Sequence, residues 1–430
     1  MELLRLALTP LEKKTFRLHI AYSAIEGIIL GVLALNEFVF IKSLKGSSYQ
    51  LGILFQFSVI VYLLLIVANE FLRRIQNKRK LLMITAVLTR LPLCLLVFFP
   101  RTPEIYTNGM AYHILFLTIF LFYYLSTPIV YPLVTLFLKS NYAHHHFGRL
   151  YGIATALNKL ILIITTFVYG LILDWNHYSF TWVFPVVAVL GIFSIHLLSR
   201  IDHSDALPDT ARQTFQRSVR DSVAKMIRIL RTNKPFRNFE LAFMIYGFGY
   251  MISIALIVLF YEEALHLNYS SVAFYRNGYT LLSILLLPFF GRLLGLMDPR
   301  KFGAYTFTAL FLALLFVVLT KYFPLSFNFS DIKIFYTLLF FVILFGVFDA
   351  MMALLWYIGP AYFCPREETA DYQAVHLALT GIRGVFAPLV GVMFYEWIGF
   401  TGAFIIAMVS LLVGIRVVMR SYRREAMGGQ

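Results

Sequence analysis

The chain has 430 residues, of which 60% are hydrophobic and only 14% charged, with a mean hydropathy of +0.77; an average soluble domain has roughly 45–50% apolar and ~25% charged residues. A water-soluble core could not hide that much apolar surface, and apolar runs of about 20 residues, each able to cross ~30 Å of hydrocarbon, recur throughout. The formal net charge of +15 would suggest nucleic acid in a soluble protein, but among membrane spans it is read by location first, and no nucleic-acid partner is expected.

Met1 to Arg17 is short and mixed in character and does not read as a cleavable signal peptide, so the first span is expected to be its own insertion signal. Hydropathy predicts twelve spans, at residues 18–41, 50–72, 81–99, 111–138, 148–173, 178–199, 238–261, 271–293, 302–322, 333–358, 371–395 and 399–419. One long polar stretch, roughly Arg200 to Arg237, separates six from six. The expected organisation is therefore all-α and integral to the membrane: an N-terminal six-helix bundle at 1–200, a cytoplasmic linker at 201–237 and a C-terminal six-helix bundle at 238–430.

Charge sorts by side. With the N-terminus inside, one face receives Arg5, Lys13, Lys14 and Arg17, then Arg73, Arg74, Lys78, Arg79 and Lys80, then Lys139 and Arg149. The same face receives the linker cations, Arg292, Arg300, Lys301, Arg366, Arg416, Arg420, Arg423 and Arg424, whereas only Lys42, Lys45, Arg101, Lys321 and Lys333 fall opposite. This bias predicts a multi-pass protein of the inner (cytoplasmic) membrane with both termini in the cytoplasm. Within the linker, Phe215, Val219, Val223, Met226 and Leu230 recur at helical spacing among Arg212, Arg217, Arg220, Lys225, Arg228 and Arg231. Such an amphipathic basic helix is expected to lie on the anionic lipids of the inner leaflet.

The halves repeat. A shift of about 221 residues lays Asn77-Lys78-Arg79-Lys80 over Asp298-Pro299-Arg300-Lys301, and a similar shift lays Gly170 over Gly391 and Trp175 over Trp397. Between spans 2 and 3 stands Glu70-Phe-Leu-Arg73-Arg74-Ile-Gln-Asn77-Lys78-Arg79, and span 11 carries Gly381-Ile-Arg383-Gly384-Val-Phe-Ala387-Pro388-Leu-Val-Gly391, a small-residue and proline run suited to close helix approach and a kink. In span count, long middle loop and basic 2–3 and 8–9 turns, the whole chain resembles the major facilitator superfamily. That family's 2–3 signature is Gly-x-x-x-Asp-Arg-x-Gly-Arg-Arg; here the basic end survives without the Asp and the glycines. The resemblance implies a twelve-helix carrier working as a monomer without a cofactor, with spans 1, 4, 7 and 10 lining a central cavity helped by 2, 5, 8 and 11.

A charge facing lipid at mid-membrane costs several kcal/mol, so intramembrane polar residues are functional candidates. Span 1 has Glu26 and Glu37, eleven residues apart and close to one helical face with Tyr22. Span 5 has Asn158 and Lys159, span 10 has Asp349, and span 11 has His376 and Arg383. Arg90 on span 3 and Arg276 on span 8 are open between functional and structural roles. The repeat places Lys159 and Arg383 near equivalent positions, so each bundle would present one cation, a pair suited to a carboxylate or phosphate. Glu26, Asp349 and Glu37 are candidate proton carriers, because alternating access can change the burial and cation contacts that govern a carboxyl proton. Tyr123, Tyr246, Tyr250 and Trp356 on spans 4, 7 and 10 could stack on a solute. The glycines of span 7 and Pro128 and Pro132 of span 4 mark expected bends.

Other signals stay bland. The run His144-His145-His146 has no acid or Cys at ligand spacing and reads as surface loop, and Cys94 and Cys364 read as packing residues, so no metal is expected. No phosphate-binding glycine loop or catalytic triad pattern appears, which argues against an ATP-driven pump or a membrane enzyme. The expectation is a secondary transporter moving a small organic anion or amphipathic solute by alternating access, coupled to protons. The alternatives are a sugar symporter or multidrug-type exporter, and a lipid flippase or non-transporting receptor on the same fold.

Overall fold

The computed structural model describes residues 8–75, 77–202, 215–365 and 368–428. Of the residues named above, Arg5, Arg212 and Arg366 lie outside these, as do the side chains of Glu70, Arg73, His144, His145 and Phe215.

Hydrocarbon cannot hydrogen-bond to a backbone, so a chain this apolar must satisfy its amides within helices. Eleven apolar helical segments are long enough to cross a membrane among the described residues. The last, Asp371–Arg424, has 54 residues, about 80 Å at 1.5 Å per residue and over twice a hydrocarbon core. It breaks at Gly399, where φ 70° and ψ 177° suit only glycine, so it supplies two crossings and the total is twelve.

The chain divides into two compact units. The first is Met1–Val39 with Val67–Phe215, and the second is Phe40–Ile66 with Gln216–Gln430. The first half of the sequence thus lends part of its second span to the second unit.

In chain order, the first span is α1 (Pro10–Leu33) and α2 (Asn36–Lys42), the second α3 (Ser48–Arg74), and the third α4 (Lys78–Arg90) with a 3-10 turn at Leu91–Phe98. A short α5 (Pro103–Asn108) precedes the fourth span, α6 (Ala111–Tyr124) and α7 (Thr127–Asn141). The fifth and sixth are α8 (His144–Trp175) and α9 (Phe180–Ser199). The linker helix is α10 (Phe215–Thr232), tied to the second unit by Lys225 Nζ, 2.7 Å from Asp371 Oδ2. The seventh to tenth spans are α11 (Lys234–Leu259), α12 (Tyr269–Gly295), α13 (Pro299–Tyr322) and α14 (Tyr336–Ile358), and α15 (Thr369–Gly384) with α16 (Ala387–Gly428) complete the chain.

Helix starts follow local chemistry. Thr9 and Glu12 form a reciprocal capping box ahead of Pro10, while Asn77, Asn233, Asn268 and Asp298 each accept a backbone N–H of the helix they open. Spans that read as continuous are interrupted where proline or a tight turn removes a ladder bond. Span 4 breaks at Leu125–Ser126 just before Pro128, and span 11 at Val385–Phe386 just before Pro388. Span 1 breaks at Ala34–Leu35, which resets the helical phase between Glu26 and Glu37, so a shared face no longer follows from their spacing. The glycines of span 7 do not bend it, for α11 is unbroken; a Cβ at Gly249 would stand 2.6 Å from the carbonyl oxygen of Ala407, so this glycine serves close approach.

A feature absent from the sequence reading precedes span 10. Strands β1 (Ser326–Phe329) and β2 (Ile332–Phe335) pair antiparallel, with Phe327 opposite Ile334 and Phe329 opposite Ile332. The tenth helix accordingly starts at Tyr336 and not at residue 333, because Lys333 and Phe335 place their backbone amides on Ser271 Oγ and Tyr275 Oη. Hydropathy had absorbed this alternating apolar strand into the following helix.

In the first unit α1 packs on α8 through small residues. A Cβ on Gly31 would stand 2.6 Å from Thr165 Cβ, and one on Gly27 2.6 Å from the Asn158 carbonyl. Gly31→Leu is therefore expected to lower the melting temperature of the purified protein, the cost being about 1–3 kcal/mol for overpacking, whereas Gly152→Ala, with nothing within 4 Å of its added methyl, does not lower it and raises it if anything, alanine being the better helix former.

At the turn before α13, Asp298 Oδ1 accepts from the Arg300 N–H at 2.8 Å and Nε at 2.9 Å, and Oδ2 from Nη2 at 2.7 Å. Burial alone would push this carboxyl up, but the hydrogen bonds and charge of Arg300 outweigh it and hold Asp298 below its ordinary value. A depressed carboxyl stabilises the fold above its unfolded pKa of about 4 and loses that contribution as pH falls through the folded value. D298N is expected to melt below the parent at pH 7, with the gap closing towards acid; a gap constant with pH contradicts this.

Candidate functional site

In the first unit the polar residues of spans 1, 3, 4 and 6 gather around Arg90. This side chain is 4% exposed, and its Nη1 donates to the Tyr123 carbonyl at 3.1 Å and to Ser126 Oγ at 2.9 Å. Both acceptors flank the break between α6 and α7, so Arg90 joins the Ser126 N–H and hydroxyl in serving the Tyr123 carbonyl there. Its guanidinium carbon lies 4.0 Å from the Tyr123 ring centroid. Gly191 makes the room, since a Cβ there would stand 2.9 Å from Arg90 Cδ. Glu26 is half-buried, accepts from Ser194 Oγ at 2.6 Å and interacts electrostatically with Arg90, as does Tyr22. The structure thus brings Tyr22, Glu26 and Tyr123 together, with Arg90 as their common neighbour.

In the second unit the buried guanidinium is that of Arg383, on span 11 and so not at the repeat counterpart of Arg90 on span 3. It is 2% exposed, and Nη1 donates to the Phe243 carbonyl of α11. The guanidinium carbon lies 5.9 Å from the Tyr246 ring centroid, and only glycine fits beneath it, because a Cβ on Gly247 would fall 1.8 Å from Nη1. Nε has no partner. Tyr246 stacks on Phe307, centroids 4.4 Å apart and 4° from parallel, and on Tyr250 at 5.9 Å. Tyr250 also meets Phe348 at 5.5 Å, and half-buried Asp349 interacts electrostatically with both tyrosines. Arg276 is half-buried and acts electrostatically on Tyr250 and Tyr261.

His376 has a partner that the sequence reading missed. Its Nδ1 lies 3.0 and 3.1 Å from the two carboxylate oxygens of Glu240 on α11, with side-chain exposures of 1% and 3%. Trp356 meets the imidazole edge to face at 4.6 Å, and Phe243 does so at 5.0 Å. Gln373 Nε2 donates to the Trp356 carbonyl at 3.2 Å. The first unit contains a matching pair, Glu12 Oε1 to His146 Nδ1 at 2.9 Å. His146 is thus not the surface-loop residue its run suggested. Both glutamates lie at a span's cytoplasm-facing end in the predicted topology, where hydropathy assigns charge to water. Each pair joins the first span of a half to the fifth, at an offset of about 230 residues that the shift of about 221 does not align.

The remaining candidates scatter. Asn158 Nδ2 donates to the Ser23 carbonyl at 2.8 Å, fastening α8 to α1. Lys159 is half-buried on the same helix, with no carboxylate in ion-pair contact among the described residues. Glu37 is half-buried at the start of α2. Beside it Asn36, not singled out from sequence, is fully buried with neither amide atom hydrogen-bonded. No group of three or more His, Cys, Asp or Glu among the described residues could hold a metal.

The architecture is shared with solved transporters. A POT family transporter in complex with 5-aminolevulinic acid superposes with a TM-score of 0.68 at 11% identity, covering 95% of this chain and 96% of that one. A variant of the nucleoside transporter NupG gives 0.65 at 13% identity over 96% and 100%, and the xylose transporter XylE from E. coli 0.63 at 11% over 96% and 98%. No curated protein matches the sequence. The Major Facilitator Superfamily model matches residues 19–326 and 239–428, and with twelve apolar crossings behind that match, the chain belongs to the Major Facilitator Superfamily.

Proposed function

We propose that this membrane protein is a secondary transporter that moves a small organic anion or amphipathic solute across the inner membrane by alternating access, coupled to protons. In this reading both termini are cytoplasmic and α10 rests on the anionic inner leaflet, where Val223 and Ile227, 41% and 45% exposed, meet lipid. Arg383 carries the proposal. A guanidinium so deeply buried is costly, yet among the described residues it has no carboxylate in contact, and its Nε is unspent. Spare, desolvated donors of this kind suit a carboxylate or phosphate oxygen. Arg383 is closed over in this conformation and would be uncovered in the other.

Lys159 supplies a second cation without a carboxylate in contact. Glu26 and Asp349 remain candidate proton carriers, and Tyr250, partly exposed, offers an apolar face to the organic part of the solute. The neighbours support the reading in kind: one holds 5-aminolevulinic acid and another belongs to the proton dependent oligopeptide transporters. A sugar symporter or broad-range exporter is the second reading, favoured by the aromatic cluster. It ranks lower because Tyr246 already spends a face on Phe307.

In proteoliposomes, uptake of labelled monocarboxylates, dicarboxylates and phosphate esters should accelerate under an inward proton gradient. R383Q and K159Q are each expected to cut the rate at least about ten-fold without loss of folded protein, a single charge-assisted contact being worth about 1.5–3 kcal/mol. Gly247→Ala should mimic R383Q by expelling the guanidinium. Unchanged transport in both single-charge variants, or uptake of a neutral sugar that survives loss of both cations, contradicts the proposal.

A further inference from the structure

We propose that Glu240 and His376 are the proton-binding site of this carrier, and that Glu12 and His146, their counterparts in the first half, are a purely structural form of the same pair. The coupling role rests on the transporter reading above; the proton-binding role does not.

The two pairs occupy equivalent places, each joining the first span of a half to the fifth, but their surroundings differ. Glu12 is saturated. Besides His146 it accepts from the Thr9 N–H at 2.9 Å, Thr9 Oγ1 at 3.1 Å and the Ala143 N–H at 3.1 Å, which caps α1 and anchors the loop before α8. A proton on this carboxyl would break bonds that fix two helices, so the pair is committed to one charge state. Glu240 is sparsely served: among the described residues its two oxygens share the single Nδ1 of His376, although a carboxylate has about four acceptor sites. His376 Nε2 is buried without a partner among the described residues. Neither member holds a cap or a loop, so gaining or losing a proton here breaks nothing in the fold.

Arg383 connects this site to solute. It stands seven residues, about two turns, from His376 on α15, and interacts electrostatically with Glu240. When the pair carries no extra proton, the glutamate charge is set against Arg383. When His376 takes up a proton, imidazolium and carboxylate neutralise one another and the guanidinium is released to hold an anion. One proton and one anionic group are thereby bound together, with charge balanced at each step.

The other ionisable groups of this region are mostly engaged. On α11, Tyr246 faces Arg383, and Lys234 and Arg237 lie towards its start. On α14, Asp349 interacts with Tyr246, and Trp356 offers only its ring. On α15, Asp371 is paired with Lys225, and Tyr372 accepts from Asn233 Nδ2 at 3.0 Å. From α13, Arg300 is paired with Asp298, and its guanidinium lies 5.8 Å from the ring of Tyr422 on α16.

Trp356 makes the proton visible, because an imidazolium in edge contact quenches indole emission. The test is a fluorescence titration from pH 9 to pH 5 of the full-length protein in lipid nanodiscs, with W175F, W182F and W397F leaving Trp356 as sole emitter. One sigmoidal loss of emission is expected, absent in H376Q and displaced in E240Q, since the imidazolium loses its carboxylate neighbour. E12Q should leave the curve in place and instead lower the melting temperature. A flat parent curve, a curve that persists in H376Q, or one that E240Q does not move overturns the proposal; should H376Q fail to fold, the E240Q displacement decides. No solute is involved, so a negative titration and a failure to find transport are distinct results.

Discussion

Inside a bilayer a buried cation has to find its partners within the protein, and Arg90 and Arg383 do so in the same way. Each donates to a backbone carbonyl of a neighbouring helix, lies near a tyrosine ring and occupies a notch that only glycine leaves open. The surrounding sequence serves these two placements. Gly191 and Gly247 leave room for them, and at the break between α6 and α7 Arg90 adds a donor to the Tyr123 carbonyl that Ser126 also serves. Carbonyl contacts hold a guanidinium without neutralising it. That retained charge separates a carrier's anion site from an inert ion pair.

The repeat supplies equivalent parts that have diverged in use. Glu12 has become a cap and Glu240 has not. In that comparison the first half holds the more saturated pair and the second half the pair with unused hydrogen-bonding capacity. Unused capacity is unfavourable in a resting fold and useful where a proton or solute must come and go.

Much of this was legible beforehand, for physical reasons. Span number and the family resemblance follow from hydropathy and charge sorting, which lipid enforces strictly. The intramembrane positions of Glu26, Arg383 and His376 could be read because a polar residue amid twenty apolar ones is conspicuous. Glu240, Glu12 and His146 could not be found that way, since charge near a span's end is ordinary, and only three-dimensional pairing distinguishes a buried ion from a wetted one. The hairpin before α14 was lost because its apolar alternation merges with the helix that follows. Gly247 was taken for a bend because sequence does not distinguish a flexible glycine from one that leaves room for a neighbour's side chain.

The central claim is that buried, unneutralised cations make this protein a binder of anionic solutes. Thermal stability of the purified protein against carboxylates, phosphate esters and neutral sugars at pH 5.5 and 7.5 tests it most directly, since a ligand at a hundred times its Kd stabilises by about 2.7 kcal/mol. The account predicts stabilisation by anionic members only, larger at the lower pH. Stabilisation by neutral sugars alone, or anion binding unchanged by R383Q, would contradict it.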